Sequence, residues 1–153
     1  MAILVRHFEP SNQSRCRQII LSGLAEHFGF IDETRNPDLD DIAQSYLSNG
    51  HDFYVAERDE QVVGTVGLLF ELGRTRIVRM SVAKNHRQQG VATALLKKCI
   101  ERARERGVLD MVAFTEPHWS DAVGFYLALG FVKYGSDAED IHLRLSLRDA
   151  GPL

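Results

Sequence analysis

Cysteine is scarce in this chain and forms no pattern. Cys16 and Cys99 are the only two, and neither has a partner at metal-ligand spacing, so no metal centre and no catalytic thiol is expected. Cys99 falls on the apolar stripe of a helical stretch, where a free thiol acts as a small hydrophobe, and Cys16 falls in an earlier helical stretch. Both suit a reducing compartment. Long apolar runs are missing as well. Nothing is long enough to cross a bilayer, and Met1 to His7 lacks the basic region and apolar core of a secretory signal. The expectation is a soluble cytoplasmic protein with no membrane partner. Repeats, low-complexity runs and interdomain linkers are also absent, and 153 residues, 44% of them hydrophobic, suit one domain over residues 1–153 with a sizeable core. No glycine-rich loop ending in Lys-Ser or Lys-Thr occurs, which excludes a Walker-type nucleotide site.

The net charge of −3 hides a division along the chain. Residues 26 to 60 carry ten Asp or Glu against two Lys or Arg, whereas residues 74 to 106 carry ten Lys or Arg against two Glu. The basic stretch is not a nucleic-acid surface: Lys97, Lys98, Arg102 and Arg104 alternate with Glu101 and Glu105 as on an ordinary wet helix face, without interleaved aromatics. The acidic stretch has a different implication, taken up below.

Apolar periodicity and turn residues give the elements. A short strand starts at Ile3, Val5 and Phe8, and Glu9 to Asn12 breaks it and caps a helix through Cys16, Ile19, Ile20 and Leu24. Asn36-Pro37-Asp38 reads as a cap, a first-turn proline and an acidic first turn. A second helix through Leu39, Ile42, Ala43, Tyr46 and Leu47 should follow and close at Asn49-Gly50. Phe53–Glu57, Val62–Phe70 and Thr75–Val82 are joined by short polar turns and predict an antiparallel meander. A helix runs from about Val91 to Arg106, and Val108–Phe114 is a strand. Ser120 or Asp121 caps a helix carrying Phe125 and Tyr126, and Ile141 to Arg148 alternates as a half-buried strand. The predicted order is β, α, α, β, β, β, α, β, α, β.

Two segments carry the chemistry. In the first, the strand ending at Val82 runs through a polar turn into Arg87-Gln88-Gln89-Gly90-Val91-Ala92, which opens a helix. Unpaired amides and the positive end of the helix dipole suit a phosphate there, and Gly90 has no Cβ to hold the backbone away. The second is Phe125-Tyr126 followed by Gly130-Phe131, about one strand later. Together, Arg87-x-x-Gly90-x-Ala92 and this Phe-Tyr element resemble the GNAT superfamily, the GCN5-related N-acetyltransferases. The resemblance is carried by residues 60 to 135, and before that by element order alone.

The resemblance implies an α/β (α+β) GNAT fold. That is a mixed, twisted sheet of six to seven strands, splayed between the fourth and fifth and flanked by about four helices, with acetyl-CoA in the gap. In that family the R/Q-x-x-G-x-G/A loop binds the CoA pyrophosphate, with Ala92 here in its last position. The fourth strand pairs with the pantetheine arm and offers a bulge N–H to the oxyanion. The implied cofactor contacts are Met80, Ser81, Val82, Arg87, Gln88, Gln89, Gly90, Val91, Ala92 and Thr93. Tyr126 takes the place of the general acid that protonates the departing thiolate, against a core-aromatic reading that Phe125 keeps.

An aliphatic ammonium, with a pKa of about 10.4, must lose a proton before it attacks. Relatives often carry a glutamate for this three residues before the position of Arg79, where this chain has Arg76. The remaining candidates are Glu116, which ranks first, His118 and His27. Trp119 stands where relatives usually have an asparagine that contacts pantetheine. The activity implied is acetyl-CoA-dependent transfer of an acetyl group to a primary amine of a small molecule or peptide, by direct attack in a ternary complex, in a monomer or homodimer. A GNAT-like module that binds acyl-CoA without turnover is the competing expectation. In the family the first two helices form one wall of the acceptor cleft. Glu26, Asp32, Glu33, Asp38, Asp40 and Asp41 on that stretch therefore predict a cationic acceptor.

Overall fold

The computed structural model describes residues 2–30 and 35–148. Seven strands form one sheet in the order β1-β2-β3-β4-β5-β7-β6. β1 (Leu4–His7), β2 (Asp52–Arg58), β3 (Gln61–Glu71) and β4 (Arg74–Val82) make an antiparallel meander. β5 (Asp110–Thr115), β7 (Ile141–Ser146) and β6 (Val132–Ser136) make a second antiparallel set. The two sets join through a parallel pairing of β4 and β5 that spans only Thr75–Ile77 against Met111–Ala113. Beyond Ile77 the strands part, and the gap between them is the splay expected from the resemblance.

Both faces of the sheet are covered. β2 shows it best: Phe53 and Val55 face a core with Cys16, Ile19, Ile20, Leu39 and Ile42, while Tyr54 and Ala56 face a second core with Val91, Leu95, Leu96, Cys99 and Phe131. A strand buried on both sides reads as a continuous apolar run rather than an alternation. α1 (Gln13–Phe28) lies on the first face. α3 (Val91–Glu105) and α4 (Ser120–Ala128) lie on the second. α3 sits close because Gly64 makes room, since a Cβ there would come within 2.7 Å of Val91 Cγ1.

Three local expectations need correction. The second helix is not continuous: a 3-10 turn at Pro37–Asp40, a four-residue helix α2 (Ile42–Ser45) and a 3-10 turn at Leu47–Asn49 replace it. Asp41 is extended at φ −151°, and its carboxylate accepts from the Gln44 amide. Gln13 then stands in for helix hydrogen bonds, donating to the Leu39 carbonyl at 2.7 Å and accepting from the Ile42 amide at 2.9 Å. The cap of α4 is Trp119, without a side-chain bond, rather than Ser120 or Asp121. β6 had no place in the predicted order, because its residues are mostly exposed and a register shift at Lys133/Gly135 breaks its alternation. Among the described residues no helix is long and apolar enough to cross a membrane.

Candidate active site

Two cavities meet at the splay. One, of about 510 Å³, lies between α1, the end of β4, the first turn of α3 and the start of α4. The other, also about 520 Å³, lies between α1, the middle of β4 and the end of β5. Met80, Ser81, Trp119, Ala122 and Tyr126 line both.

The first cavity holds the glycine turn. Gly90 is left-handed at φ 88° and caps α3, and the space where its Cβ would stand is open. The helix ladder starts with the Ala94 amide on the Gly90 carbonyl at 3.0 Å, so the amides of residues 91–93 have no intrahelical partner. Met80, Ser81, Val82, Arg87, Gln88, Gly90, Val91, Ala92 and Thr93 all line this cavity. Gln89 does not: its side chain meets Arg58 and the Asn85 carbonyl instead. Arg87 donates from Nε to the Val82 carbonyl at 3.1 Å and from Nη1 to Glu26 at 2.8 Å, so it braces the loop against β4 and α1. The Ser81 hydroxyl is turned to the Ile19 carbonyl at 3.4 Å. His86 also lines the cavity, with a buried, unpartnered Nδ1 that sequence reasoning passed over.

β4 is bulged where the two cavities join. Against Thr65–Gly67 of β3, the ladder jumps from Ser81 to Val78, so β4 carries one residue too many at Arg79–Met80. Arg79 takes a positive φ of 52°, a conformation that costs about 1 kcal/mol or more outside glycine and persists only where neighbours enforce it. They do here. Arg79 grips Asp38 with Nε at 3.0 Å and Nη2 at 2.7 Å and reaches Asn36 at 3.1 Å. Tyr46 donates to the same Asp38 carboxylate, and the Thr65 hydroxyl donates to the Arg79 carbonyl at 2.9 Å. Burial works against the Asp38 charge, but the bonds from Arg79 and Tyr46 outweigh it and hold the carboxyl below its ordinary range.

A carboxylate with a depressed folded-state pKa stabilises above its unfolded pKa of about 3.9 and loses that contribution as pH falls through the folded value. Asp38→Asn is therefore expected to lower the melting temperature by about 5 °C at neutral pH, or roughly 2 kcal/mol. Melts followed by circular dichroism should show this gap narrowing once the pH is taken below the unfolded value of about 3.9. A gap of the same size on both sides of that value would mean that the charge is not what holds the bulge.

The three base candidates converge. Glu116, at the end of β5, accepts from His27 Nε2 at 3.0 Å and pairs with His118 Nδ1 at 2.8 Å, bridging α1 to the loop before α4. The bond from His118 chiefly, with one from His27 and against partial burial, keeps Glu116 below the usual carboxylate range. His27 stacks flat on Trp119, centroids 4.3 Å apart and planes at 8°. Glu116 lines the second cavity and His27 the first. Tyr126 packs its ring on Phe125 and Phe131, each 5.1 Å away. Burial first, and Cys99 second, raise its pKa above the ordinary tyrosine value. Cys99 itself is fully buried, so it belongs to packing.

A glycine turn at a helix start, opposite a bulged and splayed strand, agrees with the family comparison. The model of the Acetyltransferase (GNAT) family matches residues 19–131. The chain belongs to the GNAT family. Human N-acetyltransferase 8B is 37% identical to this GNAT chain over 123 residues, which are 76% of this chain and 54% of the relative. The chain thus spans about half the length of the curated relatives it matches. A GNAT-family acetyltransferase structure from Staphylococcus aureus Mu50 superposes with a TM-score of 0.86 at 25% identity, covering 96% of this chain and 100% of the other. The PaiA N-acetyltransferase of Thermoplasma acidophilum, in complex with coenzyme A, gives a TM-score of 0.85 at 15% identity over 95% and 99%.

Proposed function

We propose that this protein is an acetyl-CoA-dependent N-acetyltransferase acting on a primary amine of a small molecule or peptide. The observation that carries the reading is the meeting of the two cavities at Met80, Ser81, Trp119, Ala122 and Tyr126. A module that only binds acyl-CoA needs the first cavity and has no use for the second. In this reading the amides at the start of α3 hold the pyrophosphate, and the pantetheine arm runs along the end of β4. The thioester carbonyl then sits by the bulge, where a backbone amide stabilises the oxyanion.

The amine reaches the thioester from the second cavity. Glu116, kept ionised by its two histidines, attracts the ammonium, and the His27–Glu116–His118 cluster takes one proton from it so that the neutral amine can attack; the nitrogen gives its second proton to water once the C–N bond has formed. The C–S bond then breaks, and Tyr126 gives its proton to the sulfur. Burial makes Tyr126 a weaker acid, and the same surroundings make a thiolate released there a stronger base, so both shifts run in the same direction.

The acidic stretch gives a cationic acceptor little support once it is folded. Glu26 pairs with Arg87, Asp38 with Arg79 and Asp40 with Arg17, and Asp41 caps α2. Asp32 and Glu33 lie outside the described residues. Free, buried Cys16 and Cys99 favour a reducing compartment such as the cytoplasm. Purified protein with acetyl-CoA should release CoA thiol only when a suitable amine is added, and mass spectrometry should find one acetyl group on the amine. A full panel of primary amines that yields no thiol, with CoA bound in calorimetry, would leave the binding module as the answer.

A further inference from the structure

Arg76 occupies the acceptor cavity where a glutamate base was the family expectation, and its surroundings suit a ligand. Its guanidinium lies over the Phe114 ring, 5.0 Å from the centroid. Nη2 pairs with Glu71 at 2.8 Å, but Glu71 also holds Arg74 Nε at 2.9 Å, so one carboxylate serves two cations. Nε is buried without a partner. Another charged pair that lines the cavity, Asp38 with Arg79, is spent on itself. Glu116 and Asp140 line the same cavity, and Leu24, Phe28 and Trp119 add apolar surface. The cavity thus combines cationic, acidic and apolar lining.

We propose that Arg76 binds a carboxylate carried by the acceptor, so that the substrate is an amino acid-like amine with an apolar body. This rests on the acetyl-transfer reading of the same cavity. The planar fork of a guanidinium matches a carboxylate in shape as well as charge, and the aromatic floor fixes its plane. With its carboxylate on Arg76, such a molecule can present its ammonium to Glu116, which lines the same cavity.

The test compares phenylalanine with phenethylamine, whose amines are similar in basicity. The native protein should acetylate phenylalanine with a kcat/KM about thirtyfold higher, and Arg76→Gln should bring the ratio to about one, with Arg76→Lys between them because it keeps the charge and loses the fork. Trp119, the sole tryptophan, gives a readout that needs no turnover. Its fluorescence should report tighter binding of N-acetylphenylalanine than of N-acetylphenethylamine, and Arg76→Gln should erase the difference. Turnover of both amines at equal kcat/KM overturns the carboxylate site and leaves acetyl transfer standing. Carboxylate-selective binding without any turnover supports the site and sinks the transfer reading. If Arg76→Gln does not fold, the ratio for the native protein still decides.

Discussion

Gly90→Glu should abolish measurable CoA binding, a loss of at least a hundredfold in Kd by calorimetry. Two effects combine. The left-handed backbone at φ 88° strains any L side chain, which costs roughly 1 kcal/mol. The new carboxylate would also stand beside the unpaired amides of residues 91–93, where it would compete for them and repel phosphate. Gly90→Ala separates the two, because it shares the strain and lacks the charge. It should lose only about tenfold. No atom lies within 4 Å of the Cβ that either variant adds, so neither should clash with the resting fold. Circular dichroism should find both folded. Unchanged CoA affinity in a folded Gly90→Glu variant would remove this turn from the cofactor site.

That turn was legible in the sequence because everything it needs is local: a strand end, a glycine and an amphipathic helix within a few residues. α3 and β7 were legible for the same reason, since Leu95, Leu96 and Cys99, or Leu143 and Leu145, mark a buried face directly. The bulge clamp was not. Asp38 and Arg79 stand 41 residues apart, and Asp38 fits equally well as a first-turn acid of a helix that does not form. Long-range geometry also decided the His27–Glu116–His118 cluster. Glu116, His118 and His27 were each nameable by residue type, yet His27 and Glu116 stand 89 positions apart and meet only through the fold, which no spacing rule contains. Gln89 shows the opposite case, with its side chain on Arg58 and the Asn85 carbonyl rather than among the residues that line the cavity. A contiguous motif assigns a role to every member, but backbone direction alternates, and Gln88 at φ 58° turns its neighbour out of the cleft.

Tyr126→Phe should lower kcat by about a hundredfold and leave CoA affinity within a factor of two. The substitution keeps the ring on Phe125 and Phe131 and deletes only the hydroxyl, so the cavity walls stay in place. What disappears is a hydroxyl donor on a residue that lines both cavities. Nothing in the ground state depends on that hydroxyl, since the sulfur carries no charge until the C–S bond breaks. Its loss therefore falls on the transition state. The pH dependence gives a second handle. A buried tyrosine whose pKa is raised keeps its proton through the alkaline range, so the native rate should not fall above pH 9 through loss of this donor. In the variant the thiolate must take its proton from water. The experiment is a pre-steady-state acetyl-transfer assay at saturating acetyl-CoA, run where chemistry limits the rate. Equal single-turnover rates for the native protein and the Phe variant would reduce Tyr126 to a packing residue and leave the thiolate to solvent.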